Sequence, residues 1–510
     1  MTEDFSRRRL FGLTGVAAAG AAGLSVEGCS ALSKIAGSAP KPTLATTTAD
    51  ASAGFVTQPH LTPPQITVKQ YAGLGKDSNY IFLNAPFSGP GHGGTIILNS
   101  KGQLVWFGPN TPTEHRLDFN VQSYQGKQVL TWWQGLVTEG YGRGEGVIAD
   151  SSYNIIKTVK CVGDGVEADL HEFNLTSRGT AYLSAYKTIG GVDLSPVHGP
   201  SNGYLLSGVA QEIDIATGKV VWQWDSHKNG VDLWETYETL GPGDGGYGTA
   251  ARPFNYFHIN SIADYDDEHV LISGRNTWCV YLVRKADKKI IWRLNGKRNT
   301  VHSSDSRTRF YWQHHVRAHS GNLLTVFDNG AAPAQETHSR GLVLQLEVKK
   351  NAVALRKEYI HPGAVYLAGA MGSAQLLGDG MFVGWGTVPA FSQFDSAGKL
   401  VLDGTIVKGD ASYRAFTLPW SGHPTEKPAA AARHNGSGAI VYASWNGATG
   451  VAKWRVFAGK TAGTLKDIGT ANRTGFETAV TVRNTGPWFA AQALDPGGHA
   501  MAESNPVKIA

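Results

Sequence analysis

The sequence predicts an all-β protein, a β-propeller of about six blades followed by a small fibronectin-like β-sandwich. Three observations predict it. Hairpin patterns recur along the middle of the chain, each a short apolar run, a turn, and a second apolar run. Segments with the 3.6-residue apolar period of a helix are almost absent. Gly (63 residues) and Trp (14 residues) are both abundant in a chain of 510, which suits many short strands joined by tight turns.

In chain order, residues 1–29 read as an export signal. Arg7, Arg8 and Arg9 precede the mild apolar run TGVAAAGAAGLSV, the pattern of a twin-arginine leader. That run is too short for a transmembrane helix. Cys29, just after it, stands where a lipoprotein carries its acylated cysteine, so lipidation of Cys29 is one expectation and ordinary cleavage nearby the other. Residues 30–60, rich in Ala, Ser, Thr and Pro, read as a flexible spacer. The protein is therefore expected outside the cytoplasm, at the cell surface or extracellular, touching a membrane only through an N-terminal lipid.

Residues 61–415 read as the propeller. IILNSKGQLVWF (96–107), EIDIATGKVVWQWD (212–225), LVRKADKKIIWRLNG (282–296) and QFDSAGKLVLDG (393–404) share one hairpin form, often ending in Trp. A second unit alternates with it, as in LTSRGTAYLSAY (175–186), YDDEHVLISGR (265–275), AHSGNLLTVFDNG (318–330) and LLGDGMFVGWG (376–386). Radial sheets satisfy such hairpins while leaving few exposed edges. Residues 416–510 carry alternating strands at sandwich-like intervals, with Trp445 and Trp454 as core candidates. Cys161 and Cys279 lie inside apolar runs and read as two buried thiols. Net charge is +5, partly from the leader, with no basic stripe interleaved with aromatics, so nucleic acid is not an expected partner. HExxH and CxxC patterns are missing, so neither a metal nor another cofactor is expected.

The chemistry concentrates between Phe254 and Arg340. His171 (DLHEF), His258 (YFHINSI), His314 and His315 (WQHHVR) and Arg340 (HSRGLVLQ) open or precede apolar strands. Strand starts on successive blades can meet near one axis, and imidazoles with a guanidinium suit an anionic group. The competing role for any one of these histidines is structural, bonded to a carbonyl. Trp312, Tyr256 and Trp385, with His315, are the candidates for flanking a bound aromatic ring.

FHINSI, WQH running into GNLLTVFDNG, and SRGLVLQLE resemble the arylsulfotransferase family, in its actinobacterial and fungal-type branch. The resemblance covers roughly residues 70–500. It implies a six-bladed propeller that moves a sulfuryl group between phenols without a nucleotide donor, through a transiently sulfated histidine. It implies that His258, His314 and Arg340 are site residues, and that the partners are a small-molecule aryl sulfate and a phenol. Where it implies a further histidine downstream, GAMGSAQLLGDGMFVGWG (369–386) has none. Two rivals remain: a non-catalytic cell-surface propeller binding an anionic or aromatic ligand or a protein partner, and a quinone-dependent dehydrogenase, whose repeats TGKVVWQWD resembles.

Overall fold

The computed structural model describes residues 44–48, 54–75, 79–85, 93–240, 246–483 and 486–510. The leader and Cys29 lie outside these. The described chain is all-β, with antiparallel sheets and a few single-turn 3-10 segments.

The hairpins predicted from sequence form, and each has a fixed place. One class supplies the outer pairs of sheets: Gly94–Asn99 with Leu104–Pro109, Gly203–Asp214 with Val220–Asp225, Cys279–Arg284 with Ile290–Leu294, and Ala390–Phe394 with Leu400–Ile406. The other supplies the inner pairs: Glu167–Leu175 with Thr180–Val192, Ile259–Asp264 with His269–Gly274, His314–His319 with Leu323–Asp328, and Ser373–Leu377 with Gly380–Gly384. The tryptophans that end the outer hairpins wedge between neighbouring sheets. Trp222, for example, donates its indole N–H to the Lys285 carbonyl at 3.0 Å.

The inner strands touch in sequence. His115–Tyr124 packs on Glu167–Leu175, which packs on Ile259–Asp264, then His314–His319, then Ser373–Leu377, then Ala415–Leu418, which returns to His115–Tyr124. Ala415–Leu418 also pairs with Tyr80–Ala85, so one sheet joins the two ends of this region. Arg414, just before that strand and fully buried, donates to Asp118 (2.8 Å), Glu172 (3.1 Å), the His171 carbonyl (2.8 Å) and the Asn260 carbonyl (3.0 Å). Arg317 reaches the same Glu172 at 2.8 Å. One guanidinium thus ties together residues of three inner strands and their neighbour.

Downstream, Ala429–Asn435, Gly438–Ser444 and Glu477–Arg483 form one sheet, and Lys453–Gly459, Lys466–Asn472, Trp488–Leu494 and Ala500–Glu503 lie in another. Val441, Val456, Val480 and Phe489 fill the space between them. Trp454 is buried there, whereas Trp445 is half-buried and bonds the Glu426 carbonyl at 2.7 Å.

Two expected boundaries shift. A cut between 415 and 416 would fall inside Ala415–Leu418, and Phe416 and Trp420 belong to the cluster of Phe82, Phe119 and Trp132. The hydrophobic register therefore keeps residues 416–420 with the inner sheets. Within 30–60, read as spacer, Thr46–Thr48 pairs with Glu477–Arg483, Phe55 packs on Phe476 (centroids 4.4 Å), and the Val56 amide reaches Glu477 at 3.1 Å. The last part of that stretch is pinned because its few apolar residues find a hydrophobic partner and its amides a carboxylate. Cys161 and Cys279 are free, Cys279 buried and Cys161 partly so.

Candidate functional site

The inner strands are irregular where they meet. Pairing slips between Leu117 and Asn120, Ala168 and Phe173, Ile259 and Ser261, and His314 and Arg317. Bulges of this kind re-aim side chains. They come with left-handed backbone at bulky residues: Asp118 (φ 54°), His258 (φ 53°), Trp312 (φ 56°), His315 (φ 50°) and Met371 (φ 63°). Each costs on the order of 1–3 kcal/mol, which the surrounding packing must offset.

The bulges bring three of the predicted histidines together. His258 Nε2 lies 3.2 Å from His171 Nε2, and the His171 and His314 rings have centroids 6.5 Å apart. Asp169, on the same strand as His171, is buried. Its Oδ1 accepts the Gly142 amide at 2.7 Å, and its Oδ2 accepts His171 Nδ1–H at 2.5 Å and the Ser184 hydroxyl at 3.2 Å. Asn255 takes the His258 amide on its Oδ1 (2.9 Å) and so presents its Nδ2 to His258 Nδ1 (3.0 Å). This bonding assigns the tautomers. His258 carries its proton on Nε2 and donates it to the lone pair of His171 Nε2, while His171 donates from Nδ1 to Asp169. The result is a directed chain, Asn255 to His258 to His171 to Asp169.

His314 is held differently. Its Nδ1 donates to Asn329 Oδ1 (2.7 Å), and its Nε2 accepts the Met371 amide (3.3 Å). Burial first, then Arg275 among the neighbouring cations, pushes the His314 imidazole well below its ordinary range. Burial, His171 and Arg275 do the same to His258. Both rings are neutral near pH 7.

Arg275 follows the His269–Gly274 strand, and its amide donates to the His258 carbonyl at 3.0 Å. Its guanidinium lies over the Trp312 ring at 4.6 Å and donates to the Gly369 carbonyl (3.0 Å) and Asn276 Oδ1 (2.9 Å). Trp312 in turn meets Trp278 edge-on at 5.1 Å. The stretch 369–386, which lacks a histidine, thus borders the cluster through backbone atoms of Gly369 and Met371.

Several predicted site residues stand elsewhere. Arg340 touches none of the three histidines. Its Nε reaches Asp328 (2.9 Å), one terminal nitrogen reaches Glu358 (2.9 Å) and the other the Arg309 carbonyl (2.9 Å), with Glu336 at 3.5 Å. Tyr256 and Trp385 are 0% exposed and tied to the Val231 carbonyl and the Ser392 hydroxyl, so they are scaffold and not ring-binding surfaces. His315 accepts the Ala374 amide and packs on Phe416, away from its neighbour His314. Sequence reasoning did not single out Asp169, Asn255, Arg275 or Asn329. Only Asp169 had a visible signal, the Asp-x-His spacing that puts two side chains on one strand face.

A family model described as Arylsulfotransferase (ASST) matches residues 120–408, more than half of the chain. No curated protein matches the chain. Among solved structures, similarity is found to a protein of unknown function from Bacteroides caccae (10% identity, TM-score 0.39, covering 67% of this chain and 99% of that one). Apo AztD from Citrobacter koseri is similar at 10% identity and TM-score 0.30 (68% and 99% covered), and Saccharomyces cerevisiae Sqt1 at 7% and 0.31 (82% and 98%).

Proposed function

The chain belongs to the arylsulfotransferase (ASST) family, and from that premise we propose that it moves a sulfuryl group from a phenolic sulfate to a phenolic acceptor. The observation that carries the reading is the Asp169–His171–His258 chain beside His314. Asp169 holds the proton of His171 on Nδ1 and leaves a lone pair on Nε2, the nucleophilic atom. In transfer, the N–S bond forms at His171 Nε2 as the S–O bond to the aryl oxygen breaks. The leaving oxygen departs as a phenolate hydrogen-bonded by the Nε2–H of His258 and takes its proton from water. The acceptor phenol then gives its proton to water as its oxygen attacks sulfur and the N–S bond breaks. Substrate oxygens replace the bond that the two imidazoles make with each other in the free protein.

The six groups of strands whose inner members touch in a cycle are read as six blades of a propeller, and residues after Trp420 as a fibronectin-like sandwich. The cycle of contacts and the sheet joining Ala415–Leu418 to Tyr80–Ala85 support this. Arg7 to Arg9 and Cys29 support export and a lipid anchor outside the cytoplasm.

The test is transfer from a chromogenic aryl sulfate to a phenol by the purified protein, with the sulfated intermediate trapped and located by mass spectrometry. His171→Ala should lower transfer by at least about 100-fold, the scale of positioned nucleophilic and acid–base groups. One observation favours a second reading, a ligand-binding protein without catalysis. Every ring nitrogen of His171, His258 and His314 already has a partner. A folded protein that binds aryl sulfates and transfers nothing to any phenol would establish that alternative.

A further inference from the structure

We propose that Arg275, and not Arg340, is the guanidinium that binds the sulfuryl oxygens, an assignment that rests on the sulfuryl-transfer reading above. Arg340 is already committed to carboxylates. Asp328, Glu358 and the Arg309 carbonyl occupy its nitrogens, and Glu336 adds a third carboxylate, so an incoming oxyanion would meet repulsion there.

Arg275 is less encumbered: its terminal nitrogens bond only neutral oxygens. Its side chain is only 12% exposed, and its nearest carboxylate, Glu238, stays at 3.7 Å, beyond a hydrogen bond. Its Nε–H is buried without an acceptor. Its hydrogen bonds go only to neutral oxygens and its one ion pair, with Glu238, is long, so a buried cation with an unused N–H gains from a closer anion. The location fits. The Arg275 amide bonds the His258 carbonyl, and its guanidinium bonds Gly369, two residues before the Met371 amide that bonds His314. The cation is therefore bracketed between two of the three cluster histidines, and its charge helps hold both rings neutral. The Trp312 ring lies 4.6 Å from the guanidinium carbon and helps hold the cation in place, with its unused Nε–H free to meet an oxyanion. The left-handed backbone at Trp312 is the local strain that sets this platform.

The experiment is calorimetric titration of the full chain with inorganic sulfate and with 4-nitrophenyl sulfate, alongside the transfer assay and a melting curve. Arg275→Gln should weaken both ligands by at least about tenfold, and Arg275→Lys should recover only part of that, because an ammonium keeps the charge without the fork. A folded Arg275→Gln protein that binds sulfate and transfers as the wild type does overturns the proposal and leaves the transferase reading intact. If Arg275→Gln does not fold, Arg275→Lys decides, and wild-type affinity in it overturns the proposal. Arg275-dependent sulfate binding in a wild type that transfers nothing sinks the transferase reading while the anion site stands. Absence of anion binding in the wild type removes both.

Discussion

Asp169 sets which nitrogen of His171 is free, and Asp169→Asn tests that directly. An amide can present an N–H to the ring, turn the tautomer over and put a proton on the nucleophilic nitrogen. Transfer should fall by at least about tenfold with the melting temperature little changed, read by the aryl-sulfate assay and a thermal melt. A second prediction concerns pH. His314 is held well below its ordinary value, while in the unfolded chain it titrates near about 6.5. Below that pH the unfolded chain takes up a proton that the folded one refuses, so His314 makes stability fall as pH drops. Asp328, pushed up to about 6 by burial against the pull of Arg340, acts in the opposite direction. The observable is therefore a difference: on going from about pH 7.5 to pH 5.5, His314→Gln should lose less melting temperature than the wild type. At this scale the sequence marked out His171, His258 and His314, which the fold brings together; His258 and His314 sit where a strand begins, whereas His171 lies inside Glu167–Leu175. It did not disclose Arg275 or Asn329, which look like ordinary turn residues in SGRNT and FDNG. Arg340 stands apart from the histidines because a motif names a residue and not its company: Asp328, Glu336 and Glu358 surround it with carboxylates.

Hairpins were legible because a period-two apolar pattern broken by Gly, Asn or Asp has few alternatives. The bulges that converge the histidines were not. Left-handed backbone accompanies them at His258, Trp312 and His315, where no glycine marks it in sequence. The boundary near 415 was missed for a related reason. Ala415–Leu418 is a strand of four residues whose partner, Tyr80–Ala85, lies more than three hundred residues earlier, and no local pattern announces such a pairing. The structure turns this into a prediction. A chain ended at Arg414 leaves Tyr80–Ala85 with an open edge and should aggregate, whereas one ended near Glu426 should stay soluble and melt cooperatively. Size-exclusion chromatography and calorimetry separate the two. At the junction, Gly447 (φ +94°) lies so close to Tyr153 that a Cβ there would stand 2.3 Å from the ring, and its carbonyl accepts the Tyr153 hydroxyl at 2.6 Å. Gly447→Ala should destabilise this contact by roughly 1–3 kcal/mol, measured by denaturant unfolding.

Across the whole molecule, Arg414 is the residue on which most elements depend. Replacing it with Met leaves Asp118 and Glu172 as buried carboxylates facing each other, and stability should drop by about 3–5 kcal/mol in a urea titration. The two ends of the described chain also meet, since Thr46–Thr48 adds a strand beside Glu477–Arg483. Consider a lipid at Cys29. Sixteen residues lie between it and Thr46, and the seventeen steps from Cα to Cα span no more than about 60 Å when fully stretched. Tension in that leash would enter at Thr46–Thr48 and pass through Phe55 and Val56 to Phe476 and Glu477, all on the C-terminal sheets or beside them. The mechanical load would be discharged there, so thermal buffeting of the anchor would reach the histidines last.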